Sequence, residues 1–111
     1  MSRVTIGELE ELVLLTVGIL PDNAYGVTVM QQLEEQTGRQ VNISAIHAVL
    51  SRLEEKGLLK SYMGGATSER GGRRKRFFQL SLSGREAVED ARFVREKLYS
   101  QLPPLSATSS T

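Results

Sequence analysis

The sequence predicts a mainly α-helical protein with one small β-hairpin, and three observations predict it. Apolar residues recur at helical spacing in three successive segments before residue 58 and again after residue 83. Between them the period shortens to that of strands, over Leu58–Met63 and Lys75–Leu82. Glycines, prolines and capping residues divide these segments at short intervals.

The first helix is expected to begin near Thr5, where Thr5-Ile6-Gly7-Glu8 has the pattern of a capping box. Leu9, Leu12, Val13, Thr16 and Ile19/Leu20 then form one buried stripe, and Pro21-Asp22-Asn23 ends it. Leu15 and Val17 fall outside that stripe, so the helix is expected to be covered on two sides, with a partner subunit as the second cover. The second helix is predicted from Tyr25-Gly26 to Gln36, with Val29/Met30 and Leu33 inward and Gly38 as a left-handed cap. After a short connector, Asn42 caps a third helix whose buried side is Ile43, Ile46, Val49/Leu50 and Leu53. Two helices joined at this spacing form a helix-turn-helix. The two strands follow, and the glycine-rich segment between them, Gly64-Gly65 through Gly71-Gly72, makes a flexible, basic hairpin tip. Ser83-Gly84-Arg85-Glu86 is a second capping box, opening a last helix to about Gln101. Pro103-Pro104 ends it, and the Ser/Thr-rich tail to Thr111 is expected to be disordered.

Three helices, two strands and a final helix give a winged helix-turn-helix followed by a C-terminal dimerisation helix. The corresponding division is 1–82 for the winged helix, 83–102 for the last helix and 103–111 for the tail.

Composition narrows the function. The hydrophobic fraction of 40% suits a folded domain. No apolar run is long enough to span a bilayer. The first residues lead into Glu8, Glu10 and Glu11, where a secretory signal would need an apolar stretch, so the expected location is the cytoplasm. With no cysteine and the single histidine His47, disulfides, zinc ribbons and thiol catalysis are excluded. The Glu-Glu pairs lie on helices without the spacing of a calcium loop. No metal, cofactor or enzymatic role is expected.

The formal net charge is only +1, but its distribution is uneven. Through Leu58, four basic residues face eight acidic ones; beyond it the run Arg70-Gly-Gly-Arg73-Arg74-Lys75-Arg76 reverses the balance. Such asymmetry points to a localised polyanion contact. At the wing position, downstream of a helix-turn-helix, this run is read as a grip on double-stranded DNA, along its phosphates or in a narrow minor groove. Alternation sends Arg74 and Arg76 to one side of the strand and Lys75 and Phe77 to the other. On the third helix, Ser44, Ala48 and Ser51, flanked by Ala45, His47 and Arg52, form an outer face of small and polar side chains beside the Asn42 cap. Small residues let a helix settle into a major groove, and Ser, His and Arg donate to phosphates or base edges. The bland alternatives are an ordinary solvated face, a surface or satisfied core histidine, and a solubilising loop or membrane-surface patch. The last helix carries Ala87, Ala91, Val94 and Leu98 at a seam-like spacing, with Leu102 beyond. With Leu15 it is read as a homodimer interface; the alternative is packing onto the first helix of its own chain. A protein-interaction module with a basic wing is the second functional reading.

The ordered set Gly7-Glu8-Leu9-Glu10-Glu11-Leu12-Val13-Leu14-Leu15, Ala24-Tyr25-Gly26, Leu50-Ser-Arg-Leu53-Glu-Glu-Lys-Gly57-Leu58, Glu69-Arg-Gly-Gly-Arg73-Arg-Lys-Arg76-Phe77-Phe78 and Leu82-Ser83-Gly84 resembles the PadR family of transcriptional regulators. The resemblance implies a winged-helix dimer on a pseudo-palindromic operator, usually as a repressor, and the short final segment resembles the smaller PadR subgroup. It also implies that His47 stands where a tyrosine commonly helps contact DNA. Some small members bind planar drugs between aromatic residues at the dimer centre. This chain has no tryptophan, which leaves Phe93 and Tyr99 as the candidates for an effector site.

Overall fold

The computed structural model describes residues 5–64 and 74–105. Its elements run α1 (Glu8–Gly18), α2 (Gly26–Thr37), α3 (Ile43–Glu55), β1 (Leu59–Gly64), β2 (Lys75–Leu80) and α4 (Leu82–Ser100). This is the expected order. The hairpin tip with Arg70 and Arg73, and the tail beyond Leu105, lie outside the described residues.

α1 starts later than Thr5. Gly7 takes the cap position, and its N–H donates to Glu10 Oε1 at 2.8 Å. Glu8, the expected partner of Thr5, instead accepts from Arg39 Nη1 at 3.0 Å. The three acidic residues of the first turn oppose the positive end of the helix dipole. The buried surface of α1 also departs from a single stripe: Leu14 and Val17 are core residues, while Ile19 is 55% exposed. The cause is position. α1 packs on α2, α3, β2 and α4, so most of its circumference is covered within the subunit.

α2 is capped by Tyr25, whose N–H donates to Thr28 Oγ1 at 2.9 Å, and ends at Gly38 with φ 71°. Asn42 caps α3 as expected, accepting from the Ala45 N–H at 2.8 Å. Ile46, Val49, Leu50 and Leu53 turn into the core, where they meet Val13, Leu14 and Val17 of α1 and Val29 and Leu33 of α2. β1 and β2 pair antiparallel from Leu59↔Leu80 to Gly64↔Lys75. The Phe78 N–H reaches the Ala24 carbonyl at 2.8 Å, tying the root of the hairpin to the segment before α2.

α4 begins two residues before the expected capping box. Ser81 is the cap: its Oγ accepts from the Gly84 N–H at 3.0 Å and donates to the Gly57 carbonyl at 2.6 Å. Gly84 lies so close to the chain leaving α3 that a Cβ there would stand 2.0 Å from the Leu58 carbonyl oxygen. The first turns of α4 are thereby held against the core, which includes Ala87 and Val88. The core thus continues across residues 82–83 into α4.

Candidate DNA-binding surface and subunit interface

The outer face of α3 is as open as its small residues require. Ser44, His47, Ala48, Ser51 and Arg52 are exposed, Ala45 is half-buried, and the exposed Asn42 spends its side-chain oxygen on the cap. His47 rests against the first turn of α2. A Cβ on Gly26 would lie 2.4 Å from His47 Cε1, so the glycine opens the space that the imidazole fills.

β2 closes the other side. Tyr25, Gly26 and Val27, His47 and Ser51, and Lys75, Arg76 and Phe78 together line a cleft of about 390 Å³. His47 and Ser51 of the outer face of α3 thus share one cleft with the basic start of β2. Arg74 is exposed beside it. Lys75 and Phe77 share one side of β2. Lys75 Nζ sits 3.2 Å from the Tyr25 hydroxyl and 4.3 Å from its ring centre, and Phe77 packs edge-on against the same ring. Phe77 also stacks on Tyr62, whose hydroxyl donates to Asp22 Oδ1. These aromatic contacts brace the hairpin against the turn between α1 and α2. Arg76 lies on the opposite side, where its Nη1 donates to Ser61 Oγ at 2.9 Å and stands 3.5 Å from Glu54 Oε1.

Arg52, expected on a phosphate, has an intramolecular partner. Its Nε donates to Glu10 Oε2 at 3.1 Å, and Lys56 Nζ donates to the same oxygen at 2.8 Å. Burial alone raises the Glu10 carboxyl. The hydrogen bonds from Lys56, the Gly7 amide and Arg52, with the charge of Lys56, outweigh it and hold the pKa below its ordinary value near 4.5. The adjacent Glu11 accepts from Arg95 Nη2 of α4 at 2.6 Å. Consecutive glutamates of α1 thus hold α3 on one side and α4 on the other. The sequence assigns Tyr25, Gly26, Glu10, Glu54 and Ser61 no place in the site. Their contacts join segments distant in the chain, which periodicity does not report.

The proposed interface residues divide. Ala87 is 9% exposed and belongs to the subunit's own core, because the Ser81 cap draws this turn inward; it leaves little for a partner. Ala91 is half-buried. Leu15, Val94, Leu98 and Leu102 are exposed, joined by Phe93 and Tyr99. A groove of about 430 Å³ between α1 and α4 is floored by Leu15, Ile19, Leu80 and Val88. Among the described residues no group of three or more His, Asp or Glu side chains is placed to hold a metal ion, and no helix is long and apolar enough to cross a membrane.

The model of the PadR-like transcriptional regulator family matches residues 15–90, more than half of the chain. The chain belongs to this family. PadR-like proteins are transcriptional regulators and not enzymes, and the four helices with their two-stranded hairpin have the PadR-like winged-helix fold. Similar solved structures include a PadR-like transcription factor from Bacteroides fragilis, with 21% identity and a TM-score of 0.70 over 83% of this chain and 84% of that one. A PadR family regulator from Clostridium difficile has 24% identity and a TM-score of 0.63 over 87% of this chain and 100% of that one. A PadR-like regulator from Bacillus cereus has 17% identity and a TM-score of 0.65, over 83% and 84%. At these identities the likeness is one of fold. No curated protein matches the chain in sequence.

Proposed function

We propose that this PadR-like regulator is a cytoplasmic homodimer that binds a pseudo-palindromic DNA operator and represses transcription there. The observation that carries the reading is the single surface formed by the outer face of α3 and the basic strand β2, joined across the cleft at His47 and Ser51. Asn42, Ser44, Ala45, His47, Ala48 and Ser51 face the major groove, while Arg70, Arg73, Arg74, Lys75 and Arg76 of the wing follow phosphates beside it. Arg52 keeps its bond to Glu10 and offers its exposed remainder to the backbone of the duplex. The apolar far half of α4, with Leu15, supplies the subunit contact, since an uncovered apolar patch of this kind marks an association surface. Two copies so joined present two recognition helices to successive major-groove segments. Phe93 and Tyr99 on that face are where an aromatic effector would meet the dimer.

The test is selection of duplexes from a random pool at near-physiological salt, with the mass of the complex measured alongside. Enrichment of an inverted repeat by a species of two subunits is the expected result. Enrichment of no sequence refutes the operator reading, and a one-subunit species refutes the dimer.

A further inference from the structure

Arg76 is a wing cation held by a carboxylate and a hydroxyl of its own chain. Glu54 of α3, Ser61 of β1 and Arg76 of β2 close a small ring. The Ser61 hydroxyl donates to Glu54 Oε2, Arg76 Nη1 donates back to Ser61 Oγ at 2.9 Å, and the same Nη1 pairs with Glu54 Oε1 at 3.5 Å. A carboxylate is an unexpected neighbour for a residue meant to grip phosphate, because it repels the polyanion it would approach. Its effect on the guanidinium is orientational. With Nη1 anchored, the Nε–Nη2 edge remains, and that edge carries two parallel N–H donors in a rigid plane. Arg76 also lines the cleft with His47 and Ser51, and its side chain is 56% exposed, so the guanidinium stands beside the outer face of α3. Two parallel donors beside a helix in the major groove match the paired O6 and N7 acceptors of guanine.

We propose that Arg76 is a base-reading residue, recognising a guanine next to the bases covered by α3, and that Glu54 is the positioning residue that fixes its fork. This rests on the DNA-binding reading above and deepens it. Arg76 leaves the set of phosphate contacts, and Glu54 enters the site without touching DNA.

The charge change in Glu54→Gln separates base reading from phosphate binding. The glutamine removes a negative charge beside the DNA, so a phosphate-gripping Arg76 would bind every sequence more tightly. A base-reading Arg76 would lose its orientation and its preference. Binding of wild type, Glu54→Gln and Arg76→Lys is measured on the selected operator and on duplexes with each G·C pair replaced in turn. Thermal unfolding by circular dichroism confirms that each variant is folded. The expected result is a preference for guanine at one position per half-site, reduced by about fivefold or more in both variants. Preferences at other positions stay as they were, and Arg76→Lys, which keeps its charge, leaves the salt dependence unchanged. Uniform tightening by Glu54→Gln, uniform weakening, or unchanged preferences overturn the proposal. A wild-type protein that selects no sequence fails at the earlier step and refutes the operator reading itself.

Discussion

The two halves of α4 are one continuous helix with opposite surroundings. Its first turns are fastened to the subunit by the Ser81 cap, the close approach of Gly84 to Leu58 and the burial of Ala87 and Val88. Its last turns present Phe93, Val94, Leu98 and Tyr99 to solvent, each at least 44% exposed. A helical seam in the sequence therefore passes from core to exposed surface along one helix, with Arg95 on Glu11 near the changeover.

The contrast breaks most sharply at Gly84. Replacing it with alanine drives a Cβ into the Leu58 carbonyl, a backbone atom that cannot swing aside as a side chain would. Either α4 lifts or the turn after α3 moves. The expected loss is about 3 kcal/mol of unfolding free energy, the upper part of the range for overpacking, read as a lower urea midpoint. An unchanged midpoint would mean that α4 is not fastened where its first turn meets Leu58.

Leu98→Asp tests the other half. Leu98 is 63% exposed, so the subunit loses little packing, but the dimer interface would bury an unpaired carboxylate. Subunit association should weaken by about 2 kcal/mol, roughly 30-fold in dissociation constant, by sedimentation across a dilution series. A variant that dimerises like wild type would place the interface elsewhere.

The same division of labour runs along α3, whose inner row is core and whose outer row faces the cleft. Glu10 holds this helix to α1. Its folded-state pKa is depressed, so the native protein binds fewer protons there than the unfolded chain. The contribution is complete above the unfolded value near 4.5 and is lost as pH falls through the lower folded value. Arg52 is about half exposed and Lys56 is a third exposed, so solvent screens the pair and the worth of the tie is about 1 kcal/mol. Glu10→Gln should be less stable by that amount at pH 7, with the difference from wild type closing below pH 4.5. A difference constant with pH would assign the loss to packing and not to charge.

Sequence period and breakers were enough to place six elements in order, because each packs one recurring face and ends at a residue with a local reason to stop. Asn42 and Gly38 are such residues, and both act as expected. The capping-box patterns at Thr5 and Ser83 do not form the caps, because a serine or threonine followed by glutamate is a local signal, while the true cap depends on distant groups. Ser81 is chosen by the Gly57 carbonyl, and Glu8 is diverted by Arg39, both across the fold. The inward turn of Ala87 was hidden for the same reason. Of the site, the outer row of α3 and the basic run were legible; Gly26, Glu54 and Ser61 act only through neighbours that folding brings together.

Gly26 gives the smallest effect on the fold and isolates the outer row. Alanine there meets His47 Cε1, the end of a side chain that can rotate away, so the backbone need not shift. Alanine also favours the helix by up to about 1 kcal/mol over glycine, which offsets the crowding. Stability should therefore change by less than about 0.5 kcal/mol, within the range of an ordinary surface substitution. Operator affinity should nevertheless fall by about threefold to tenfold if His47 is displaced from a face that meets the major groove. In a His47→Ala background the same Gly26→Ala change has no imidazole to displace and should leave affinity unaltered. The double-mutant cycle, measured as operator binding by fluorescence anisotropy, thus reports the contact alone. Additive losses would show that Gly26 acts on DNA through α2 and not through the histidine that rests on it.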